Sequence, residues 1–411
     1  MANLDEVDAV AGELFGRLIT AEARLDPYPV YTQLRDAAPV LDTGVGLVLV
    51  TGYSEVRSIL RDPRLSSDES NSMFTKELAR SPDPERPLHP SHDLDLMLFM
   101  DPPRHTRLRK LVARAFTPRR VSEIRPRIAA IVGELLDSAT PGMPFDVIGD
   151  LAYPLATQVI CELLGVPVAD RERFGSWSAD MAVAVDPSSI RSEQDNVRLG
   201  NATEAFIEYF TDLIGARRRD PGDDILSALI AAEEQGDRLS GEELLATGVL
   251  LLIAGHETTV NLIGNGIAAL IADRAAMEAF TSNTAERSTA IDELIRIDSP
   301  VQLAQRITLD DTEIAERVIP EGTSLVLLLG AANHDPSVFA DADRLRFDRT
   351  HSDHVGFGGG IHHCLGASLA RTEGEVAITK LLQRFPDCEL ASEPIRRTTF
   401  TLRGYRELMI V

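Results

Sequence analysis

The stretch FGGGIHHCLG, residues 357–366, decides the fold of this chain. Three successive glycines fit poorly inside a helix or strand, because each one costs backbone entropy; they fit a loop whose backbone passes very close to something flat or bulky. Cys364 ends this loop, just before a helix predicted to begin at Leu365. Free N–H groups at a helix N-terminus stabilise a thiolate. The alternative is a tight loop around an inert buried cysteine, and three further segments weigh against it.

The first of these segments is a long apolar stretch upstream of the glycine loop. Ser240 can cap a helix there, and Glu243 completes a capping box. No proline follows until Pro300, so residues 240–272 are predicted to form one helix, about 50 Å long at 1.5 Å per residue. Its middle is apolar nearly all round, which indicates burial. We expect this helix to run through the centre of the protein.

The motif AGHETT, residues 254–259, interrupts the apolar stretch. Glycine and hydroxyl side chains in mid-helix can open the hydrogen-bond ladder and leave a kink. An acid beside a hydroxyl, deep inside a protein, is what proton delivery to a buried reactive atom requires. The rival interpretation is the zinc-protease motif HExxH. It fails because Val260 stands where the second histidine should be.

The second and third segments carry charge. Glu293 and Arg296 share one helix face, and such a pair by itself is normally a solvated surface contact. In DPPRHTRLRK, residues 101–110, Asp101 is a good N-cap, and His105 and Arg109 lie one turn apart, where they could grip one anionic group.

Residues 102–122 are strongly basic and contain no acid. This stretch is either a solvated basic helix or a docking face for an acidic protein. Its cations are Arg104, Arg107, Arg109, Lys110, Arg114, Arg119 and Arg120.

Composition narrows the class of protein. The chain has 411 residues and a formal charge of −23, from 41 Lys plus Arg against 64 Asp plus Glu. That balance argues against nucleic-acid binding, which needs a basic surface. Three cysteines cannot make a disulfide scaffold and fit a reducing compartment. The acidic start MANLDEVDAV has no signal-peptide pattern, so we expect a soluble, cytoplasmic protein without a membrane anchor.

The overall texture predicts a mainly α fold with a minor β portion, in a single large domain spanning 1–411. The region 66–98 is rich in proline and polar residues and is predicted to be a long functional loop. Other helices are expected near 5–20, 28–37 and 366–384, and two short strands and a helix over 40–56. After residue 300, β-like runs lie at 304–308, 313–319, 323–328, 398–402 and 407–411.

Together these segments resemble the cytochrome P-450 family, the haem-thiolate monooxygenases, from YPVYTQLR (28–35) onward. The family loop F-G-x-G-x-H-x-C-x-G is matched at every fixed position within 350–366. The family's E-x-x-R motif is Glu293 and Arg296, and its third partner resembles Arg349. DPPRHTRLR is similar to the soluble bacterial class in particular. The resemblance implies the cytochrome P-450 fold, with the long central helix over the haem.

The resemblance also implies a role for each matching residue. Cys364 would be the proximal ligand of a haem b iron, as a thiolate, and Phe357 would pack near its sulfur. Thr258 would hydrogen-bond dioxygen, and Glu257 would help to relay protons through it. The remaining implied residues are the propionate ligands His105, Arg109, Arg306 and His362, the distal residues Ala254 and Gly255, the loop residues Gly358, Leu365 and Gly366, and the structural residues Glu293, Arg296 and Arg349.

The implied activity is insertion of one oxygen atom from O2 into a C–H bond. The implied substrate pocket is mostly apolar, which suits a large lipophilic molecule, and the pattern looks most like bacterial enzymes that tailor macrolides. Electrons would come from an acidic ferredoxin-type donor on the basic face near Arg107, Lys110 and Arg114. The pocket would be lined by the 66–98 loop, the 168–200 region, and Leu250, Ile253, Ala254, Val301, Leu303 and Phe400.

Two alternatives stay open. One is a haem-thiolate enzyme that couples radicals or uses peroxide; the intact Glu257-Thr258 pair argues against a dedicated peroxide user, which has less need of a proton relay. The other belongs to a different class, a haem-binding sensor without turnover. The basic segment within an acidic chain argues for an electron donor and so against the sensor.

Overall fold

One long helix organises the fold. In the computed structural model, which describes residues 4–44, 46–73, 75–76, 94–114, 116–140, 142–186, 191–234, 236–282, 287–349 and 353–411, the helix Gly241–Ala272 begins at the predicted Ser240 cap. The Ser240 side chain accepts from the Glu243 N–H, and the Glu243 carboxylate accepts from the Ser240 N–H, so the capping box is confirmed. Most residues from Leu244 to Leu270 are buried, as the apolar pattern predicts.

Shorter helices surround this central helix on several sides. The predictions at 5–20, 28–37 and 366–384 are confirmed to within two residues. In chain order the α-helices are α1 Leu4–Leu18, α2 Ala21–Leu25, α3 Tyr28–Ala37, α4 Tyr53–Ile59, α5 Arg104–Ala113, α6 Pro118–Asp137, α7 Tyr153–Leu164, α8 Arg171–Met181, α9 Glu193–Arg219, α10 Ile225–Ala231, α11 Gly241–Ala272, α12 Arg274–Ser282, α13 Arg287–Ile297, α14 Leu329–Asn333 and α15 Ala367–Arg384.

Close helix packing explains one glycine of the central helix. A Cβ added at Gly248 would lie 2.0 Å from the Phe210 ring of α9, so only glycine lets the two helices approach this closely.

The β portion is small. Its main sheet has the strand order β1-β2-β10-β7-β3, in which β10 pairs parallel to β2 and antiparallel to β7. The strands are β1 Val40–Asp42, β2 Leu47–Val50, β3 Leu65–Ser66, β4 Phe145–Asp146, β5 Glu233–Glu234, β6 Asp237–Arg238, β7 Leu303–Thr308, β8 Thr312–Ile314, β9 Arg317–Ile319, β10 Ser324–Leu328, β11 Ile395–Arg396, β12 Tyr405–Glu407 and β13 Met409–Ile410.

Three of the predicted β runs need correction. The run 313–319 is a hairpin of β8 and β9, because Ala315 and Glu316 turn the chain with φ values of 49° and 64°. The run 398–402 is not a strand; only Leu402 makes an isolated bridge, to Val301. The run 407–411 divides at Leu408, since β12 pairs with β11 and β13 with β4.

Two helical segments are long and apolar enough to cross a membrane by length and composition, Val147–Leu164 and Gly241–Ala272. Their apolar windows are 61% and 72% buried inside the protein. Packing in the protein core therefore accounts for their composition.

The predicted 66–98 loop is described in part. It includes Ser66 of β3 and two short 3-10 turns, Glu69–Asn71 and Met97–Phe99. Residues 77–93 lie outside the described part of the chain, as do 350–352 at the start of the predicted 350–366 loop.

Candidate active site

The glycine loop is folded tightly around Cys364. The Cys364 N–H donates to the Phe357 carbonyl at 2.9 Å, and the Gly358 N–H donates to the Val355 carbonyl at 2.8 Å. Gly360 has a φ of +61°, and a Cβ there would lie 2.4 Å from the Leu60 carbonyl oxygen just after α4. The loop thus requires glycine on both conformational and steric grounds.

Cys364 is half-buried, and its thiol is free. Burial raises its pKa, while the Gly366 N–H, Arg109 and Arg371 lower it. The helix that follows begins at Ala367, with Gly366 at its N-cap, and not at Leu365 as predicted. The Arg371 guanidinium lies over the Phe357 ring, 4.6 Å from its centroid, which fixes that ring beside the loop.

A cluster of cationic and imidazole side chains lies close to the thiol. The rings of His105 and His362 are 4.2 Å apart, and Arg109 donates to the carbonyl of His363. Burial, with His105, Arg306 and Arg109 nearby, lowers the pKa of His362 to about 3. Both ring nitrogens of His105 and Nε2 of His362 are buried without a hydrogen-bond partner.

This cluster fits the carboxylates of a haem. Buried polar atoms need partners, and Arg306 is only 7% exposed. His105 and His362 have unsatisfied ring nitrogens, and Arg109 and Arg306 lie close to them. Two anionic groups would stabilise this set of four donors. Among the described residues no group of three or more His, Cys, Asp or Glu side chains is arranged to hold a metal ion.

The middle of α11 presents an open polar face. The Thr258 hydroxyl donates to the Ala254 carbonyl at 2.7 Å, and the Thr259 hydroxyl donates to the Gly255 carbonyl at 3.0 Å. Ala254 is exposed, whereas Thr259 is buried. Of the two threonines, Thr258 is therefore the one on the open side of the helix.

Glu257 lies on the closed side of the same helix. It is fully buried, and neither carboxylate oxygen makes a hydrogen bond, so none joins it to Thr258. Its Oε2 lies 2.7 Å from Nη1 of Arg397. Burial raises the pKa of Glu257, and Arg397 lowers it. Sequence reasoning missed Arg397, because it lies 140 residues further along the chain.

His256 was also missed as a site residue. Its ring is fully buried and hydrogen-bonded on both nitrogens, to Thr157 and Ser178, at 2.9 Å each. Burial and the nearby Arg397 lower its pKa to about 4. The only sequence signal was its position beside Glu257.

Glu293 and Arg296 form a buried ion pair, so the surface interpretation is wrong. Arg296 is 0% exposed and donates to both oxygens of Glu293 at 2.8 Å. The Arg349 Nε also donates to Glu293, at 3.0 Å. Arg296 further donates to the carbonyls of Asn333 and Ala342, so the triad ties α13 to the segment that precedes the glycine loop.

Five of the six residues expected to line a substrate pocket lie in three hydrophobic clusters, and the sixth, Ala254, is exposed on α11. Leu250 and Ile253 pack with α8, α9 and α10. Val301 packs against the main sheet, whereas Leu303 and Phe400 pack against the cluster of α1 and α3. An isolated antiparallel β-bridge between Val301 and Leu402 joins the segment of Val301 and Leu303 to the segment of Phe400.

Four of the seven cations of the basic segment form ion pairs in the structure. Arg107 contacts Glu243 and Asp237, each at 2.6 Å. The other pairs are Arg104–Asp95, Arg119–Glu123 and Arg120–Asp223. Most of these acids are distant in sequence, so the pattern of charges along the chain could not show them. Lys110 remains exposed.

Comparisons with known proteins agree on one family. The family model described as Cytochrome P450 matches residues 73–286 and 288–398. The chain is 42% identical over 393 residues to vitamin D(3) 25-hydroxylase of Pseudonocardia autotrophica, covering 94% of this chain and 93% of that protein. It is 38% identical over 400 residues to 6-deoxyerythronolide B hydroxylase of Saccharopolyspora erythraea, covering 94% and 96%.

A solved structure gives the same result. Mycobacterium smegmatis CYP164A2 with econazole bound superposes with a TM-score of 0.89, at 41% identity, over 97% of this chain and all of that one. The predicted mainly α fold is confirmed by this likeness.

Proposed function

Because the chain belongs to the cytochrome P450 family and is a monooxygenase of that family, we propose that it hydroxylates or epoxidises a large lipophilic secondary metabolite of the macrolide type. The observation that carries this proposal is the tight loop that holds Cys364 beside buried imidazoles without hydrogen-bond partners and the guanidinium groups of Arg109 and Arg306.

The proposal assigns the cofactor site residue by residue. Cys364, as a thiolate, would hold the iron of haem b, and His105, Arg109, Arg306 and His362 would hold its carboxylates. Gly358, Leu365 and Gly366 are the loop residues whose backbone would lie close to the haem. When bound, a thiolate-ligated haem supplies dioxygen activation and C–H oxidation. Phe357, held under Arg371, would shield the sulfur from water.

Two side chains of α11, Glu257 and Thr258, would deliver protons to the open side of the helix. Thr258 bonds Ala254 in this structure, and its hydroxyl can instead donate toward the open side of the helix, because a hydroxyl both donates and accepts. Glu257 is buried, and burial raises its pKa while the Arg397 guanidinium lowers it. A proton would pass from Glu257 to Thr258 through water, since no direct hydrogen bond joins them.

The substrate class rests on relatives and on lining chemistry. One relative is named for hydroxylating 6-deoxyerythronolide B and another for hydroxylating vitamin D(3). The residues proposed to contact substrate are almost all apolar, which favours a lipophilic ligand. They are Leu250, Ile253, Ala254, Val301, Leu303 and Phe400, with Ala254 and Gly255 leaving room above the cofactor.

We assign electron supply to an acidic, ferredoxin-type protein that docks beside α5. Lys110 is exposed on this helix, and its neighbour Arg109 contacts the Cys364 loop. Opposite charge steers such an encounter. The three cysteines are free, which supports a reducing cytoplasmic location for both proteins.

Two measurements test the proposal. The reduced protein with carbon monoxide should show the strongly red-shifted Soret band of thiolate ligation; a band typical of histidine or neutral-thiol ligation would exclude the Cys364 assignment. Incubation with 6-deoxyerythronolide B, NADPH, a ferredoxin and its reductase should give a product that carries one added oxygen from 18O2. A product formed only with added hydrogen peroxide would favour the peroxide-using alternative.

A further inference from the structure

His256 connects the centre of α11 to two other helices. Its Nε2 lies 2.9 Å from the Thr157 hydroxyl of α7, and its Nδ1 lies 2.9 Å from the Ser178 hydroxyl of α8. Both hydroxyls can donate or accept, so either ring tautomer is satisfied. The ring is fully buried and can find hydrogen-bond partners only among the groups that already surround it.

The next residue along the chain is the proposed proton carrier. Glu257 Oε1 lies 3.7 Å from His256 Nδ1, too far for a hydrogen bond, and Oε2 contacts Arg397. Both carboxylate oxygens are buried without a hydrogen bond. The Nδ1 atom of His256 therefore has Ser178 as its present partner and Glu257 as a close second candidate.

We propose that His256 is a positioning residue that makes proton delivery by Glu257 depend on the position of α8. While Ser178 is docked, it occupies Nδ1, and Arg397 is then the one side chain paired with the Glu257 carboxylate. When α8 moves away, Nδ1 loses its partner in a dry site and donates to Glu257 Oε1 instead. The carboxylate is then held, and it delivers protons poorly.

A dependence on the position of α8 would link proton delivery to the state of the substrate pocket. The helix lies in the 168–200 region that we expect to cover the substrate, and it packs against α7, α9 and α11. Coupling to α8 would slow proton delivery while the pocket is open, and so would limit the wasteful reduction of dioxygen. This inference rests on the relay role proposed above for Glu257.

The spectroscopic test compares single hydroxyl deletions in the haem-loaded protein. The carboxyl C=O stretch of Glu257 is first identified by infrared spectroscopy as the band lost in Glu257→Gln. In Ser178→Ala, Nδ1 should donate to Glu257, and this band should shift or lose intensity. In Thr157→Val, the freed nitrogen is Nε2, which is not the one near Glu257, so the band should keep its position.

The functional test uses the solvent deuterium isotope effect on NADPH-driven oxygen consumption with 6-deoxyerythronolide B as ligand. Ser178→Ala should lower kcat at least about tenfold, as expected when a hydrogen bond to a charged group is gained, and should raise the isotope effect while leaving ligand affinity unchanged. The exposed Thr211 of α9, outside the 168–200 region, gives a hydroxyl control, and Thr211→Ala should leave kcat, ligand affinity and the isotope effect unchanged.

Each outcome decides between the two ideas. An unaltered Glu257 band in Ser178→Ala, or equal effects of Ser178→Ala and Thr157→Val, overturns the coupling through His256 and leaves the relay intact. An unaltered isotope effect in Glu257→Gln itself overturns the relay, and the inference with it.

Discussion

Cys364 is the residue on which the proposed chemistry depends most directly. Cys364→Ser replaces the only thiol in the glycine loop, so the carbon monoxide complex should lose its red-shifted Soret band and monooxygenase activity should vanish. Cys388, buried elsewhere in the core, provides the control, and Cys388→Ser should keep the band. Full activity in Cys364→Ser would rule out Cys364 as the axial ligand.

Thr258 and Thr259 offer a matched pair on adjacent faces of α11. Thr258→Ala should raise the ratio of hydrogen peroxide to product about a hundredfold, at the lower end of the range for loss of a positioned proton donor. Thr259 makes the same kind of bond to a backbone carbonyl but is buried away from the open face, so Thr259→Ala should keep its coupling. The ratio of peroxide to NADPH consumed measures both. Unchanged coupling in Thr258→Ala would remove Thr258 from the relay.

At the residue scale, local sequence motifs predicted most of the candidate site residues. Contacts between residues far apart in the sequence could not be predicted. The glycine loop and DPPRHTRLR have fixed spacings, so Cys364 and His105 could be selected from the sequence alone. Arg397 could not, because its contact with Glu257 is made by tertiary folding between segments 140 residues apart. Ser178 escaped for the same reason.

The middle of α11 should make stability depend on pH. Burial lowers the pKa of His256 to about 4, whereas in an unfolded chain it is about 6.5. Between these values the unfolded state binds the proton and the folded state does not. The free energy of unfolding should therefore fall as pH drops from about 6.5 toward 4, by about 2 kcal/mol at pH 5 from this residue.

Denaturant unfolding at pH 7 and pH 5 measures this effect. His256→Gln, which cannot take up a proton, should lose less stability than the parent protein between the two pH values. An equal loss in both proteins would show that the His256 imidazole does not set this dependence.

The triad on α13 should behave as a buried ion pair. Arg349→Ala leaves Glu293 paired with Arg296 and removes one buried hydrogen bond to a charged group, which costs about 1.5 to 3 kcal/mol. Arg346, three residues earlier, forms exposed pairs with Asp341 and Asp348, so Arg346→Ala should have a much smaller effect. Thermal unfolding compares the stabilities of the two variants. Similar losses of stability in both would show that the triad does not have this structural role.

At the element scale, long periodic helices were predicted well and short strands poorly. The helix 240–272 has a cap, a capping box and an uninterrupted apolar run, which together define both ends. The run 398–402 has β-like composition, but the Phe400 and Thr401 N–H groups donate to Asp186 instead of a neighbouring strand. That acceptor lies more than 200 residues away, so composition alone could not reveal it.

For the whole molecule, the charges on α5 should govern the encounter with an electron donor. Lys110→Glu should slow association with an acidic ferredoxin, and raising the salt concentration from 50 to 500 mM should shrink the difference between variant and parent as exposed charges are screened. The control variant is Arg119→Glu on α6. Arg119 is exposed and pairs with Glu123, one helical turn away. Stopped-flow reduction of the haem measures the rates. Identical rates for Lys110→Glu and the parent would place the donor elsewhere.

Because the chain leaves the ribosome N-terminus first, strands that pair in the folded protein are synthesised at different times. Strand β2 at residues 47–50 pairs with β10 at 324–328, and β4 at 145–146 pairs with β13 at 409–410. At 5–20 residues per second, the inner edge of β2 waits roughly 14 to 55 s for its parallel partner. The nascent N-terminal half therefore carries an apolar strand with one unpaired edge throughout that interval, since β1 covers only the other edge. Translation speed and chaperone supply should then set the yield of folded protein.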